Sequence, residues 1–156
     1  MNGLIVYFSR TGRTRKAAEA IQALTGFDIE EIKEAKGRGG PIGWLKSGME
    51  STRKMLPEIE APQHELASYD LVVIGTPIWA SNMSSPVRAY INSHGPDIKS
   101  VALFCTGDGN DPETAFAPIT EMLGKEPVAT LGLIGEEREG ETANKRIEAF
   151  VAELNT

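Results

Sequence analysis

The sequence predicts a doubly wound α/β sandwich, a parallel sheet with helices on both faces. Two observations lead there. Short, near-continuous apolar runs recur along the 156 residues, and amphipathic helical patterns separate them. A run that is apolar on both sides suits a strand covered on both faces. Such strands, alternating with helices and joined by right-handed crossovers, give a doubly wound sandwich.

The first strand is Leu4–Phe8. Ala17, Ala18, Ile21 and Leu24 then fall on one helical face after Thr14. Phe27–Ile32 alternates only partly and reads as an edge strand with one wetter face. Residues 36–62 break the rhythm with Gly37, Gly39, Gly40, Pro41, Gly43, Gly48, Pro57 and Pro62, leaving room only for a short helix around Trp44–Met55. A connection this long inside a compact domain is often functional. Leu71–Thr76 is the third strand, followed by Ser85 as an N-cap, Pro86 in the first helical turn, and Val87 and Ile91 on one face. Val101–Thr106 is the fourth strand. Asp111-Pro112 repeats the start signal, Phe116, Ile119 and Leu123 continue at helical spacing, and Gly124 supplies a stop. Val128–Ile134 is the fifth strand, and Ile147, Phe150, Val151 and Leu154 mark a final amphipathic helix.

Composition narrows the function. Cys105 is the only cysteine, so neither a disulfide within the chain nor a thiolate metal cluster can form, and His64 and His94 lack ligand spacing. The formal charge of −6 argues against non-specific binding to nucleic acid or anionic membranes. No apolar run approaches the roughly 20 residues of a membrane span, and a cytoplasmic location is the expectation. The charge is uneven: Lys33 to Lys54 holds six basic residues against two acidic ones, leaving about −10 on the rest. That stretch reads either as a solvated connection or as a basic rim beside a site for an anionic ligand.

In open α/β sheets, ligands bind beyond the carboxyl ends of the strands. The first strand is followed by Ser9-Arg10-Thr11-Gly12-Arg13-Thr14, leading into a helix. Hydroxyls, a glycine and amides at a helix N-terminus suit a phosphate dianion, with Arg10, Arg13, Arg15 and Lys16 adding positive potential. The same residues also read as an ordinary capped strand-to-helix turn. The loop lacks the glycine spacing of a Walker motif or a dinucleotide fingerprint, so a phosphate monoester is the better guest. The third strand is followed by Thr76-Pro77-Ile78-Trp79-Ala80-Ser81-Asn82-Met83, a semi-rigid platform for a planar ring, although Trp79 also reads as an anchor for its own loop. The fourth ends in Thr106-Gly107-Asp108-Gly109-Asn110, where the glycines let backbone pass close to a ligand.

With these loops in this order, the sequence resembles the flavodoxin-like FMN proteins, which include flavodoxins and the related NAD(P)H-dependent FMN and quinone reductases. The resemblance runs the length of the chain. It implies a flavodoxin-like α/β sandwich whose five-stranded parallel sheet has the order 2-1-3-4-5, as a single domain over residues 1–156 with an irregular Gly/Pro-rich connection at about 36–62. It implies FMN as cofactor. Ser9, Arg10, Thr11, Gly12, Arg13 and Thr14 would hold the phosphate. Pro77, Ile78, Trp79, Ala80, Asn82 and Met83 would lie against one side of the isoalloxazine, with Thr106, Gly107, Asp108 and Gly109 lining the other.

The function this implies is an oxidoreductase passing hydride or electrons through FMN to a small acceptor. The alternative is a non-enzymatic electron carrier between protein partners. Expected partners are NAD(P)H or a redox protein, in a monomer or homodimer, and as an enzyme the chain would bind nicotinamide directly over the flavin. Residues 36–56 are expected to form a flap bordering the site. The redox chemistry belongs to the cofactor, so no acid–base residue is singled out. Phosphorylated receiver domains share the fold but need acidic residues where Phe8-Ser9 and Gly75-Thr76 stand, and a low-molecular-weight phosphatase needs a cysteine-led phosphate loop that Cys105 does not open. Cys105 reads as a buried strand residue.

Overall fold

The structure is a computed structural model and describes residues 1–35 and 56–155. Its strands are β1 (Gly3–Tyr7), β2 (Asp28–Glu31), β3 (Leu71–Trp79), β4 (Asn82–Met83), β5 (Val101–Gly107) and β6 (Thr130–Ile134). The five long ones run parallel in the order β2-β1-β3-β5-β6. The expected order is therefore present. The two-residue β4, antiparallel to the end of β3, only shifts the count.

Alternation along each strand divides the core in two. Leu4, Val6, Val72 and Ile74 face the helices α2 (Ser85–His94) and α3 (Glu113–Leu123), against Val87, Ile91, Phe116 and Ile119. Ile5, Val73, Phe104 and Leu133 face α1 (Arg13–Thr25) and α4 (Gly140–Leu154), against Ala17, Ile21, Ile147 and Phe150. At Gly75 the central strand has no room for a side chain, because an added Cβ would lie 2.1 Å from the Phe104 ring. β2 is an edge strand with none of its residues buried, as its partial alternation predicts.

Three expectations need correction. Leu24, expected on the core face of α1, is 52% exposed: it stands in the last turn of α1, one residue before the helix ends at Thr25. Ser84, not Ser85, occupies the N-cap of α2, with Ser85 and Pro86 as its first helical residues. Pro86 fits there because the first turn needs no N–H from it. Val128 and Ala129 precede β6 rather than opening it. At α3 the start signal works differently from a plain cap: Asp111 Oδ1 accepts the Glu113 amide at 3.0 Å while Pro112 stands at the N-cap. The short helix and the flap expected within residues 36–56 lie outside the described residues apart from Leu56, as do Lys36, Arg38, Lys46, Arg53 and Lys54 of the basic stretch.

Candidate functional site

All the strand ends that carry the candidate residues open at one edge of the sheet. After β1, the Ser9 hydroxyl accepts the Gly12 amide at 3.1 Å and closes the turn. Gly12 is the N-cap of α1 with φ 97°, a left-handed conformation that favours glycine. No side chain caps α1, and its first turn holds no acidic residue. The first amides of the helix, which have no acceptor within it, are therefore left toward the loop at the positive end of the dipole. Thr14, one residue into the helix, is buried and shares a 2.9 Å hydrogen bond with the hydroxyl of buried Thr106. Thr11 stays exposed.

The segment expected as a loop after the third strand is a β-hairpin. β3 continues through Pro77, Ile78 and Trp79, and pairs with β4 at Ile78–Met83 and Trp79–Asn82. A two-residue turn of Ala80 (φ 48°) and Ser81 (φ 55°) joins them. Both φ values are positive, as the twist of a tight hairpin requires, and without glycine each costs roughly 1 kcal/mol or more. The base of the hairpin compensates. The buried Thr76 hydroxyl accepts the Ser84 amide at 2.9 Å and lies within donor reach of the Pro77 carbonyl (2.8 Å) and Ser84 Oγ (3.1 Å). Asn82 Oδ1 accepts both its neighbour's amide at 2.8 Å and an Arg88 terminal nitrogen at 2.9 Å. Trp79 meets Phe8 edge to face, with ring centroids 5.3 Å apart.

On the opposite side, Asp108 follows β5 and joins two cations: Arg138 donates to Oδ1 at 2.6 Å and Arg13 at 3.2 Å. The Arg138 hydrogen bond, with Arg13 assisting, holds the Asp108 carboxyl below the usual carboxylate range. Arg138 is itself anchored to the Gly135 carbonyl at 3.0 Å.

These groups enclose a cleft of about 210 Å³. Of the sequence-predicted residues it brings together Arg10, Thr11, Arg13, Thr14, Pro77, Ile78, Trp79, Thr106, Gly107 and Asp108, with Asn110 at the end of the same loop. Ser9 and Gly12 shape the first loop from behind; Asn82 and wholly buried Met83 support the hairpin, and Ala80 and Gly109 sit at exposed turns. Sequence reasoning missed Arg138, which also lines the cleft. The signal was available, because Arg138 follows β6 just as the other candidates follow their strands. A larger groove of about 310 Å³ between α1 and α4 shares Arg13, Thr106 and Arg138 with the cleft, but it lacks the hairpin wall and the open loop amides. Cys105 lies wholly buried in β5, and burial pushes its thiol up to about 12, so it has no nucleophilic role here.

The cleft pairs an uncapped helix N-terminus and arginines with a largely apolar wall that includes an indole. That donor set matches a phosphate monoester carrying a planar ring. Among the described residues no group of His, Cys, Asp and Glu could hold a metal ion, and no helix is long and apolar enough to cross a membrane.

Fold and cleft together define a doubly wound protein of the flavodoxin type. Residues 2–122 match the family model described as Flavodoxin, and the chain belongs to that family. Among solved structures, a candidate flavoprotein from Bacteroides eggerthii is 25% identical with a TM-score of 0.81, covering 99% of this chain and 98% of that one. A flavoprotein from Lactobacillus acidophilus, solved in complex with FMN, is 22% identical with a TM-score of 0.73, covering 93% of this chain and 97% of that one. Oxidised flavodoxin 1 from Bacillus cereus is 16% identical with a TM-score of 0.64, covering 99% and 97% respectively. The latter two likenesses are of fold.

Proposed function

We propose that this protein binds one FMN in the cleft between the Ser9–Thr14 loop, the β3–β4 hairpin and the Thr106–Asn110 loop, and passes hydride or electrons through it to a small acceptor. The observation that carries the reading is the uncapped N-terminus of α1, with no acid in its first turn, opening beside the cleft that Trp79 lines. The Lactobacillus relative's complex with FMN and the Flavodoxin family match support the choice of cofactor. Bound FMN supplies the redox chemistry; the chain supplies binding, orientation and electrostatics.

In this reading the loop amides and Thr11 take the phosphate oxygens, and Arg10 and Arg13 add positive potential. Pro77, Ile78 and Trp79 form one wall for the ring and Gly107 and Asp108 the other. Asp108 ties Arg13 and Arg138 together at the mouth of the cleft and offsets part of their charge. FMN is preferred over FAD because the loop is built for a terminal phosphate.

An absorbance spectrum of the fresh protein, followed by titration with FMN and FAD, tests the cofactor. A flavin band and tighter FMN binding are expected; equal or tighter FAD binding would sink the assignment. Adding NADPH or NADH anaerobically then separates the two roles. Rapid bleaching supports the reductase, and bleaching only after a reductase protein is added supports the carrier.

A further inference from the structure

Arg88 lies in the first turn of α2 and is 7% exposed. One terminal nitrogen donates to Asn82 Oδ1 at 2.9 Å, and the other approaches the Met122 sulfur at 3.8 Å. Nε has no hydrogen-bond partner among the described residues, and none of the guanidinium's contacts there is a carboxylate.

This arrangement is unfavourable in three ways at once. A guanidinium does not give up its proton under ordinary conditions, so its charge stays in the protein interior. Buried charges are normally paired with an opposite one. The charge also sits at the positive end of a helix dipole, where an acid would be favoured and none stands in the first turn. Desolvation pulls the Arg88 pKa below its usual value, in line with an uncompensated charge. A side chain needed only to brace the hairpin would not have to be charged: a neutral amide could donate to Asn82.

The charge has a direct structural route to the cleft. Its partner Asn82 stands opposite Trp79 in the hairpin register, and Trp79 lines the cleft. We propose that Arg88 is an electrostatic determinant of the cofactor site, its buried charge behind the β3–β4 hairpin, with no carboxylate partner among the described residues, favouring the negative charge that an isoalloxazine ring gains on reduction. The inference rests on the FMN reading above. It assigns to the hairpin wall a role in setting redox potential, separate from its role as a surface for the ring. Because Arg88 is buried, salt should screen its effect far less than that of the exposed arginines at the rim.

The test compares FMN-loaded wild type, Arg88→Met, Arg88→Lys and Asn82→Asp, each titrated with dithionite against an indicator dye and each assayed for oxidised-FMN affinity and apo-protein unfolding. Arg88→Met should bind reduced FMN at least about tenfold less tightly relative to oxidised FMN, a fall of about 30 mV for a two-electron couple. That shift should persist at high salt. Arg88→Lys should retain most of the wild-type potential. Asn82→Asp, which keeps the arginine but gives it a carboxylate, should lower the potential as Arg88→Met does. Wild-type potentials in Arg88→Met and Asn82→Asp would overturn the proposal. So would a shift in Arg88→Lys as large as in Arg88→Met, which would mean that geometry and not charge matters. If Arg88→Met does not fold, the Asn82→Asp and Arg88→Lys pair decides. Wild-type protein that takes up no FMN removes the site reading and this inference with it; FMN uptake with unmoved potentials removes the inference alone.

Discussion

The Ser9–Thr14 loop and the Pro77–Ser84 hairpin border one cleft, and their polar groups are committed in opposite ways. In the loop, Ser9 closes the turn and Thr14 bonds Thr106, but the first amides of α1 have no cap and the Thr11 hydroxyl has no partner among the described residues. In the hairpin, Thr76, Ser84 and Asn82 bond to one another's backbone, to each other or to Arg88, and the strained turn at Ala80-Ser81 is held from its base. One wall keeps its donors for a ligand, and the other uses them to stay rigid. The lesson is that affinity and stability are lodged in different walls, so substitutions should separate them.

The largest expected effect is on the loop. Replacing Thr11 and Thr14 together by valine removes two hydroxyls from the phosphate end, and charge-assisted hydrogen bonds are worth roughly 1.5–3 kcal/mol each. FMN affinity should fall by at least about tenfold in a fluorescence titration. Apo-protein stability should drop by only about 1 kcal/mol, from the lost Thr14–Thr106 bond. Unchanged affinity would put the phosphate elsewhere.

The hairpin should respond the other way. Thr76→Val leaves the buried Ser84 amide without its acceptor, at a cost of about 1–3 kcal/mol in urea unfolding of the apo-protein. A Thr76→Val protein that loses FMN affinity tenfold while keeping wild-type stability would break the comparison.

Trp79→Ala acts on the ring rather than the frame. It removes an aromatic contact worth roughly 0.5–1.5 kcal/mol, so FMN binding should weaken by up to about tenfold. Bound-flavin fluorescence should rise as the quenching indole is lost. The potential should rise too, because an electron-rich face beside the reduced ring disfavours its negative charge. That is the opposite sign to Arg88→Met. Unchanged affinity, potential and fluorescence would leave Trp79 as an anchor for its own hairpin, where it meets Phe8.

Tyr69→Phe should leave FMN affinity unmoved, since Tyr69 lies just before β3, at the end of the sheet away from the cleft. Its hydroxyl donates to Asp28 Oδ2 at 2.7 Å, and that bond first, then burial, pushes its pKa up to about 12. The folded state favours the neutral phenol, so its contribution is fully present below about pH 10 and lost as pH rises toward 12. Wild type should therefore lose stability over that window in chemical unfolding, and Tyr69→Phe should show a shallower loss. An identical pH profile in the two proteins would refute this.

Much of the fold was legible because burial on both faces leaves a plain signature. Leu71–Ile74 and Val101–Cys105 have no polar position to blur them, and Gly124 ends its helix by a local rule. Leu24 misled because helical spacing says which face a residue shares, not how far the layer above that face extends. The hairpin was not legible because Ala80-Ser81 carries none of the glycine or asparagine that usually marks a two-residue turn; the turn is imposed from outside by Thr76 and Asn82.

For the site, the Ser9–Thr14 turn into α1 and the strand ends that carry the cleft were already legible in the sequence. A strand followed by hydroxyls, glycine and a helix start is a local pattern, and parallel order sends every such end to one edge of the sheet. Which cations and acids meet there emerges only on folding. Arg13, Asp108 and Arg138 come from three segments far apart in the chain and form one network. Arg88, one charge among many in the sequence, becomes distinctive only when packing buries it beside an asparagine and, among the described residues, no acid. Charge in a sequence carries no record of its neighbours. The strength of an electrostatic interaction depends on distance and burial, and both are set only when the chain folds.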